Sequence, residues 1–494
     1  MDAPTTLQRK AISLSTLDSF YAPKIYTTTV LGYDLATLGT TGPDLLIDLL
    51  RNMITEIVKQ YPILAGTVRL DPGCQGKRMV AHLPDEDDTA VAMMDRIFRI
   101  VKHEHESTVT YEMLRSAEFA PGGLDIGRLA PFETNTDPAV ANAVFAVQVN
   151  VIPGGILVAF QLHHTIVDGK TLSQIATYMT ALLTGSGMPQ EQRPEVRFTV
   201  PELEDGIAVR DPWAMAEECP ERVLVEEGSM PPHVNRPGGV IVQTFLLTSI
   251  AQVEELHKKC NRALLEHHDL TGPVSKNDVL GACLWSAITS ARFKGKRDLS
   301  AMMRTISACH VPCDIRKKVD PPIPDEYFGT ATLMVRAQHT IIDLIAAIDA
   351  FHVQQDALPL AKIALSIRQA VAGVDTEFVR RRIQLALSVE AHNLAARETG
   401  ADKLQIRHGF KSEEHVDVVF STLAPIFKME TAALQMVQPD FLRPLHHAMI
   451  DGIVDVVPAV KGDRVEMTVA LEEEVVKRLL EMAVSTGFTK PPVL

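Results

Sequence analysis

The stretch His163-His164-Thr165-Ile166-Val167-Asp168-Gly169 stands where a predicted strand gives way to a predicted helix. Residues 143–150 alternate as a half-buried strand does, a turn follows at 153–155, and residues 156–162 supply a second apolar run. After the motif, apolar side chains recur at helical spacing at Leu172, Ile175, Met179, Leu182 and Leu183. The pattern predicts a hairpin that ends at the two histidines and a helix that follows Gly169.

A histidine at such a strand end can act as a general base. Its ordinary pKa of about 6.5 leaves the ring neutral and able to accept a proton near neutral pH. An alcohol is a weak nucleophile until its proton is withdrawn, and a well-placed imidazole contributes roughly 10² to 10⁴ in rate. We therefore hypothesise that His164 is a catalytic base. Two roles stay open for Asp168: it orients the imidazole, as in hydrolytic triads, or it turns away and fixes the loop to a cation elsewhere.

The chain contains a second copy of the same pattern, His446-His447-Ala448-Met449-Ile450-Asp451-Gly452. This copy follows Arg443-Pro444, with no predicted strand leading into it, and it precedes a β-branched run at 453–457. A turn at 461–463 and an alternating run at 465–471 then predict a hairpin. We interpret the second copy as a loop before that hairpin, and we assign the chemistry to the first copy.

The composition excludes several classes of protein. With 494 residues the chain exceeds the length at which a single core stops growing, so two domains are expected, and 46% hydrophobic residues suffice to fill them. A formal net charge of -14 argues against a nucleic-acid-binding protein. The sequence has neither a long apolar run nor the apolar core of a signal peptide. We therefore expect a cytoplasmic protein that does not bind a membrane.

Neither the cysteines nor the paired histidines predict a metal site. Adjacent histidines point in different directions, and no set of carboxylate and histidine ligands accompanies either pair. The cysteines are scattered along the chain and are predicted to be free thiols: Cys74, Cys219, Cys260, Cys283, Cys309 and Cys313.

Helix signals and a proline-rich stretch divide the chain into three parts. A helical pattern runs from Asp44, a predicted N-cap, and stops before Pro62. Residues 186–240 hold many prolines, poor periodicity and acidic pairs, as is typical of a long crossover between domains. Ser275 with Asp278 forms a variant of the capping box, which predicts a helix just after it. The predicted partition is an N-terminal domain at 1–185 with the first motif, a crossover at 186–240 and a C-terminal domain at 241–494.

Three further stretches, together with the first motif, carry a resemblance to a known family. They are YPILAGTVR at 61–69, SKNDVLGACLW at 275–285 and DIRKKVDPPIPDEYFG at 314–329. In this order, along nearly the whole chain, they resemble elements of the BAHD acyltransferases, the acyl-CoA-dependent enzymes of plant and fungal specialised metabolism. The chain departs from that family at 421–431, STLAPIFKMET, where the family usually carries a DFGWG-like motif. In relatives that loop shapes the cofactor channel, so a difference is expected in how the acyl donor is handled.

The resemblance implies an α/β fold with two similar mixed-sheet domains of the CoA-dependent, chloramphenicol acetyltransferase-like type, joined by a long crossover loop. It implies that His164 is the general base and that His163 is its structural neighbour. Asp168 would then point away from the pocket to an arginine of the second domain, for which Arg316 is the candidate, and a bidentate pair would fix the catalytic loop across the domain junction. Gly169 would allow a sharp turn.

The resemblance also implies the substrates. Acyl-CoA, with acetyl-CoA expected first, would be the co-substrate, and no cofactor would be bound tightly. The acceptor would be a small-molecule alcohol or amine, and the enzyme would be a monomer. Ser421 or Thr422 would touch the pantetheine arm or the oxyanion. Candidate partners of the CoA phosphates, each also typical of a solvated helix face, are Arg292, Lys294, Lys296 and Arg297, or the run Arg380-Arg381-Arg382.

Two other functions stay open at this point. One is a binding or scaffold protein whose altered 421–431 region no longer holds CoA, although the intact first motif argues against it. The other is a CoA-independent condensation or cyclisation catalyst, because peptide-synthetase condensation domains also carry HHxxxDG. The basic segment followed by PPIPDEYFG favours the CoA-dependent enzymes.

Overall fold

The computed structural model describes residues 11–38, 42–71, 78–85, 88–103, 109–184, 200–228, 239–267, 270, 272–293, 295, 299–325, 327–411, 414–423, 439–445, 450–458 and 463–486. The strands are β1 (Ala11–Ser13), β2 (Tyr26–Asp34), β3 (Thr67–Leu70), β4 (Met79–His82), β5 (Phe98–Lys102), β6 (Asn142–Ala143), β7 (Phe145–Ile152), β8 (Gly155–His163), β9 (Arg222–Glu226), β10 (Ile241–Ser249), β11 (Ile306–Asp314), β12 (Thr332–Thr340), β13 (Leu404–His408), β14 (Val418–Thr422), β15 (Phe441–Leu445), β16 (Ile453–Pro458) and β17 (Arg464–Glu472).

The α-helices alternate with these strands. They are α1 (Leu35–Leu38), α2 (Gly42–Gln60), α3 (Ala90–Ile97), α4 (Tyr111–Ser116), α5 (Ile126–Leu129), α6 (Gly169–Thr184), α7 (Pro201–Glu204), α8 (Pro212–Glu217), α9 (Ile250–Leu265), α10 (Lys276–Phe293), α11 (Leu299–Arg304), α12 (Ile341–Asp349), α13 (Leu358–Ala372), α14 (Thr376–Thr399) and α15 (Glu473–Thr486). Shorter 3₁₀ turns lie at Pro62–Ala65 and Pro121–Gly123, and π-helical turns lie at Leu17–Tyr21 and Ala350–Gln354.

The first large sheet carries the first motif. Over the described residues its strand order is β15-β2-β8-β7-β5, in which β5 and β7 are parallel and the other pairs antiparallel. The hairpin predicted from 143–162 is confirmed as β7 and β8, with Phe145 opposite Leu162. The helix predicted after the motif is confirmed as α6, whereas α2 begins at Gly42, two residues before the predicted N-cap Asp44.

One core lies between this sheet and its helices. Because alternate residues of a strand face one side, β7 and β8 present apolar side chains to α2 and α6. Val158 of β8, Ile54 of α2 and Ile175 of α6 belong to the same buried cluster. The layer of helices over the sheet fixes where β8 ends, and therefore where the histidines lie.

The second large sheet belongs to the C-terminal part of the chain. Over the described residues its order is β10-β17-β16-β14-β11-β12, and β14 is parallel to both β11 and β16. The hairpin predicted after the second motif is confirmed as β16 and β17. The capping box before α10 is also confirmed, because Ser275 N donates to Asp278 Oδ2 over 2.7 Å and Asp278 N donates to Ser275 Oγ over 3.2 Å. Two mixed sheets with packed helices confirm the predicted α/β class.

One strand was missed and crosses the predicted partition. The sequence predicted no strand before the second motif, but β15 pairs antiparallel with β2 at the edge of the first sheet, with Pro444 opposite Thr29. An edge position tolerates a proline, which cannot donate to a ladder. Arg443 of the same strand donates to the buried Glu466 of β17 over 2.6 Å, so β15 joins the two sheets.

The stretch predicted as a crossover carries regular elements where the structure describes it. Within it lie α7, α8 and β9, and β9 pairs antiparallel with β13. Glu221, just before β9, forms a buried pair with Arg382 of α14 over 2.7 Å. The partition into 1–185, 186–240 and 241–494 stays a prediction.

The structure also bears on the predictions about cysteines, metal sites and membrane-spanning segments. Cys74 lies outside the described residues. The other cysteines are free thiols, as predicted, and all of them are buried. Among the described residues, no three histidine, cysteine or carboxylate side chains gather as a metal site requires. None of the helices that the structure describes has the length and apolarity to cross a membrane.

Candidate active site

His164 lies directly after β8, where two distant segments hold its backbone. Its N–H donates to the carbonyl oxygen of Ile25 over 2.9 Å, and its own carbonyl oxygen accepts from Thr330 Oγ1 over 2.7 Å. Ile25 precedes β2 and Thr330 precedes β12, so one contact comes from each half of the chain. The loop is therefore fixed at the junction of the two sheets.

The imidazole of His164 is neutral and partly exposed. Burial lowers its pKa, although an interaction with its own backbone and the charge of Asp168 oppose that shift. Nδ1 is buried, whereas the residue as a whole keeps exposed surface. Nε2 is thus the ring nitrogen that a substrate hydroxyl can reach. A neutral imidazole with one accessible nitrogen has what a general base requires.

His163 has a structural environment. Its ring is fully buried, and burial first, then the charges of His164 and Lys24, lower its pKa to about 3. Nδ1 accepts from the N–H of Thr165 over 3.3 Å, and the ring stacks edge-on against Tyr26 with centroids 5.4 Å apart. A ring held in this way stays neutral and supports the loop through its contacts with Thr165 and Tyr26.

Asp168 caps helix α6 and also pairs with Arg316. It caps α6, because its Oδ1 accepts from the N–H of Thr171 over 3.0 Å. Both of its oxygens also accept from Arg316, over 2.8 Å from Nη1 and 3.1 Å from Nη2. The side chains are 0% exposed for Arg316 and 1% for Asp168. Of the two roles left open by the sequence, the structure shows the fixed contact to a cation, and the predicted arginine is the one present.

The charge of Arg316 sets the protonation state of Asp168. Burial alone would raise the pKa of the carboxyl, but the guanidinium and the N–H groups of Thr171 and Ala331 outweigh burial and lower it. The carboxylate is therefore ionised, and the pair is a bidentate link from the first motif to the strand-end segment after β11. Gly169 was expected to make a sharp turn, but it is the first residue of α6 and is not among the described glycines with positive φ.

Asp18 completes the support of the loop and was missed from the sequence. Its oxygens accept from the N–H of Thr330 over 2.6 Å, from Tyr327 Oη over 2.6 Å and from Ser15 Oγ over 2.8 Å. Burial raises the pKa of Asp18 to about 7. A Cβ on Gly329 would come within 2.9 Å of the Asp18 oxygens, so the glycine of the PPIPDEYFG segment allows this close approach. Tyr327 and Gly329 lay in a stretch that the sequence singled out, whereas Asp18 lay in none.

The second motif also holds a buried ion pair. His446 and His447 lie outside the described residues. Asp451 is buried and accepts from Arg292 Nη2 over 2.6 Å, while Arg292 Nη1 donates to the carbonyl oxygen of Asp417 over 2.9 Å. Gly452 has φ of 97°, and a Cβ there would lie 2.6 Å from that same carbonyl oxygen. Asp451 and Gly452 thus form a packed internal turn at the start of the hairpin that the sequence predicted.

A comparison with known families decides the class of the protein. A model described as the Transferase family matches residues 126–479, and one described as the trichothecene 3-O-acetyltransferase-like N-terminal domain matches residues 25–182. The chain belongs to the Transferase family of BAHD-type acyltransferases. The resemblance stated from the sequence is confirmed.

Curated proteins from fungi and a solved structure are similar to this Transferase-family chain. The O-acetyltransferase anaAT of Neosartorya fischeri is 21% identical over 384 residues, which cover 70% of this chain and 74% of that protein. The O-acetyltransferase cpsE of Aspergillus campestris is 23% identical over 417 residues, covering 77% and 78%. The structure of F. graminearum TRI101 complexed with coenzyme A and T-2 mycotoxin has a TM-score of 0.74 at 16% identity, with 98% of this chain and 100% of that chain covered. The structural likeness confirms the predicted fold.

The residues that the sequence predicted to contact CoA in this Transferase-family enzyme have different outcomes in the structure. Arg292 was wrong as a phosphate partner, because its side chain is only 3% exposed and already pairs with Asp451. Arg382 is likewise buried against Glu221. Lys294, Lys296 and Arg297 lie outside the described residues, as do 424–431 of the altered loop. Ser421 and Thr422 end β14 and are half-buried, and their contact with CoA stays a prediction.

Proposed function

We propose that this chain transfers an acyl group, acetyl in the first instance, from acyl-CoA to a hydroxyl of a small specialised metabolite, with His164 as the general base. The chain is an acyl-CoA-dependent O-acyltransferase by family, and the curated relatives anaAT and cpsE are O-acetyltransferases. The observation that carries the role of His164 is a neutral ring with Nε2 accessible, on a loop held from both halves of the chain.

The chemistry follows from that position. Nε2 of His164 takes the proton of the acceptor hydroxyl as its oxygen bonds to the thioester carbonyl carbon. The carbon–sulfur bond then breaks, and the departing CoA thiolate takes the proton back from the imidazolium. Asp168 and Arg316 do not touch the reacting atoms in this scheme. Their buried pair keeps the loop rigid, so that the hydroxyl and the ring meet at a fixed distance.

The test of the proposal is an assay of thiol release from acetyl-CoA. A panel of terpenoid, alkaloid and polyketide alcohols is offered to the purified enzyme, and release above the rate of uncatalysed hydrolysis is expected with at least one of them. Mass spectrometry should find the acetyl ester of that alcohol. A panel that yields neither thiol nor ester with acetyl-CoA or longer acyl-CoA donors would contradict the proposal. Amine acceptors, a monomeric state and a cytoplasmic location stay predictions from the sequence.

The pH profile should report the lowered pKa of His164. Because the ring stays neutral at pH values where an exposed histidine begins to protonate, kcat/KM should stay level down to about pH 6.5 and fall only below it. The measurement is kcat/KM for the acceptor at saturating acetyl-CoA across that range. Asp18, whose pKa is about 7, titrates nearby, so the Asp18→Asn variant is the control. An acid limb with a midpoint above about 6.5 in both proteins would contradict the neutral base.

A further inference from the structure

A cavity of about 500 Å³ opens beside the catalytic loop. Its walls are the segment 19–24 and the paired strands β9 and β13. The segment leads directly into Ile25, whose carbonyl oxygen accepts the backbone N–H of His164. Thr165 Oγ1, one residue beyond the base, lies 3.5 Å from the carbonyl oxygen of Pro23 in the cavity wall. The cavity therefore ends against the residues that position the base.

The lining of the cavity is cationic. Among its described lining residues, Lys24, Arg222 and Arg407 carry positive charge, and Glu227 carries negative charge. Lys24 Nζ donates to the backbone carbonyl oxygens of Ser19 over 2.5 Å and Ala22 over 3.1 Å, neither of which neutralises it. The whole chain has a net charge of -14, so the positive charge of this cavity wall is opposite in sign to the net charge of the protein. Such a wall favours an anionic ligand.

Arg222 is the buried member of this wall. Its side chain is 3% exposed, its guanidinium lies 4.6 Å from the ring centroid of Tyr21, and Nε is buried without a hydrogen-bond partner. The carboxylate beside it, Glu221, is 4.0 Å away and is engaged by Arg382 over 2.9 and 2.7 Å. Two buried guanidinium groups thus share one carboxylate, whose short contacts go to Arg382. A second carboxylate at Arg222 would compensate the excess charge, in bidentate geometry.

His408 connects Arg222 to the catalytic end of the cavity. Arg222 Nη1 lies 3.3 Å from each ring nitrogen of His408. Burial first, and then the charges of Arg222, His310, Lys24 and His164, hold the pKa of His408 well below its usual range. His408 is thus a neutral ring within electrostatic reach of both Arg222 and His164.

We infer that this cavity receives the acceptor and that Arg222 binds a carboxylate of that acceptor, which makes the substrate a hydroxylated carboxylic acid. The inference rests on the proposed function. The phosphates of CoA are also anions, but the whole pantetheine arm separates them from the thioester, whereas Arg222 lines the cavity that borders the catalytic loop. The carboxylate is therefore assigned to the acceptor and not to the donor.

The test compares hydroxy acids with their methyl esters as acceptors of acetyl groups from acetyl-CoA. In the wild-type enzyme, kcat/KM for the acid should exceed that for the ester by about tenfold or more, as expected for a charged hydrogen-bonded pair. Arg222→Gln should abolish this preference and leave KM for acetyl-CoA unchanged. Arg210→Gln is the matched control, because Arg210 is 49% exposed and pairs with the surface residue Glu218. Arg222→Lys should restore part of the preference.

The outcomes separate the possible failures. If Arg222→Gln weakens the use of acetyl-CoA but not of acetyl-pantetheine, which lacks the phosphates, the arginine serves the donor and the inference is overturned. Equal rates for acid and ester in the wild type overturn it as well. This comparison uses only the wild-type enzyme, so it tests the inference even if the Arg222→Gln variant does not fold. A complete lack of transfer to any hydroxyl would instead remove the proposed function.

Discussion

Replacing His164 with alanine is expected to lower kcat by about 10² to 10⁴ while the protein stays folded. The loss follows because the other imidazole of this loop, that of His163, is fully buried and so cannot take the proton of a substrate hydroxyl. The fold should survive because the hydrogen bonds that hold the loop run through the backbone, to Ile25 and from Thr330, and alanine keeps both. Thiol release gives kcat and KM, and the melting temperature of each variant reports folding.

His447→Ala is the matched control for this experiment, because it removes the corresponding histidine of the second motif. Its kcat should stay near that of the wild type. Loss of rate in His447→Ala alone would move the chemistry to the second copy, and near-normal turnover in His164→Ala would remove the base role from position 164. KM for acetyl-CoA should change little in either variant, since neither side chain is assigned to the donor.

The site around the first motif could be predicted because its signals are local. The alternation over 143–162 and the helical spacing after Gly169 depend on which side of one hairpin and one helix faces the core. The hairpin β7 and β8 and the helix α6 follow that pattern. The partner of Asp168 lies 148 residues away in sequence, and only the family resemblance pointed to Arg316.

The parts that were missed depend on contacts without a local pattern. Asp18 stands among short polar residues, and its partner Thr330 is 312 residues further along the chain. Strand β15 contains Arg443 and Pro444, which argue against a strand until the edge of β2 and the carboxylate of Glu466 are known. Pairing of this kind is decided by tertiary packing, so the sequence pattern alone could not predict it.

Arg292 shows why a basic cluster was misinterpreted. It ends α10, and the residues from Asp278 to Arg292 are buried all round, as in a helix at the centre of a domain. A cation there requires an internal carboxylate, which Asp451 supplies. The apolar surroundings of that helix were the signal against a solvated phosphate site.

Breaking the pair between Asp168 and Arg316 should affect stability as well as rate. Asp168→Ala leaves a fully buried guanidinium without its carboxylate and removes the cap of α6, so a loss of about 3 to 5 kcal/mol in the free energy of unfolding is expected. Turnover should fall too, because the loop that carries His164 loses its anchor. Chemical denaturation and thiol release on the same preparation measure the two effects together.

A double variant and the pH dependence distinguish the pair from a simple packing effect. Asp168→Ala combined with Arg316→Met should cost less than the sum of the single changes, because no buried charge is left alone. The folded pKa of Asp168 lies below its unfolded value of about 3.9, so the stability it confers is present above that pH and is lost as pH falls through the folded pKa. Glu254→Ala, which breaks the exposed pair with Lys276, is the control and should change unfolding little. Additive losses in the double variant would mean that the two side chains stabilise the loop independently of their contact.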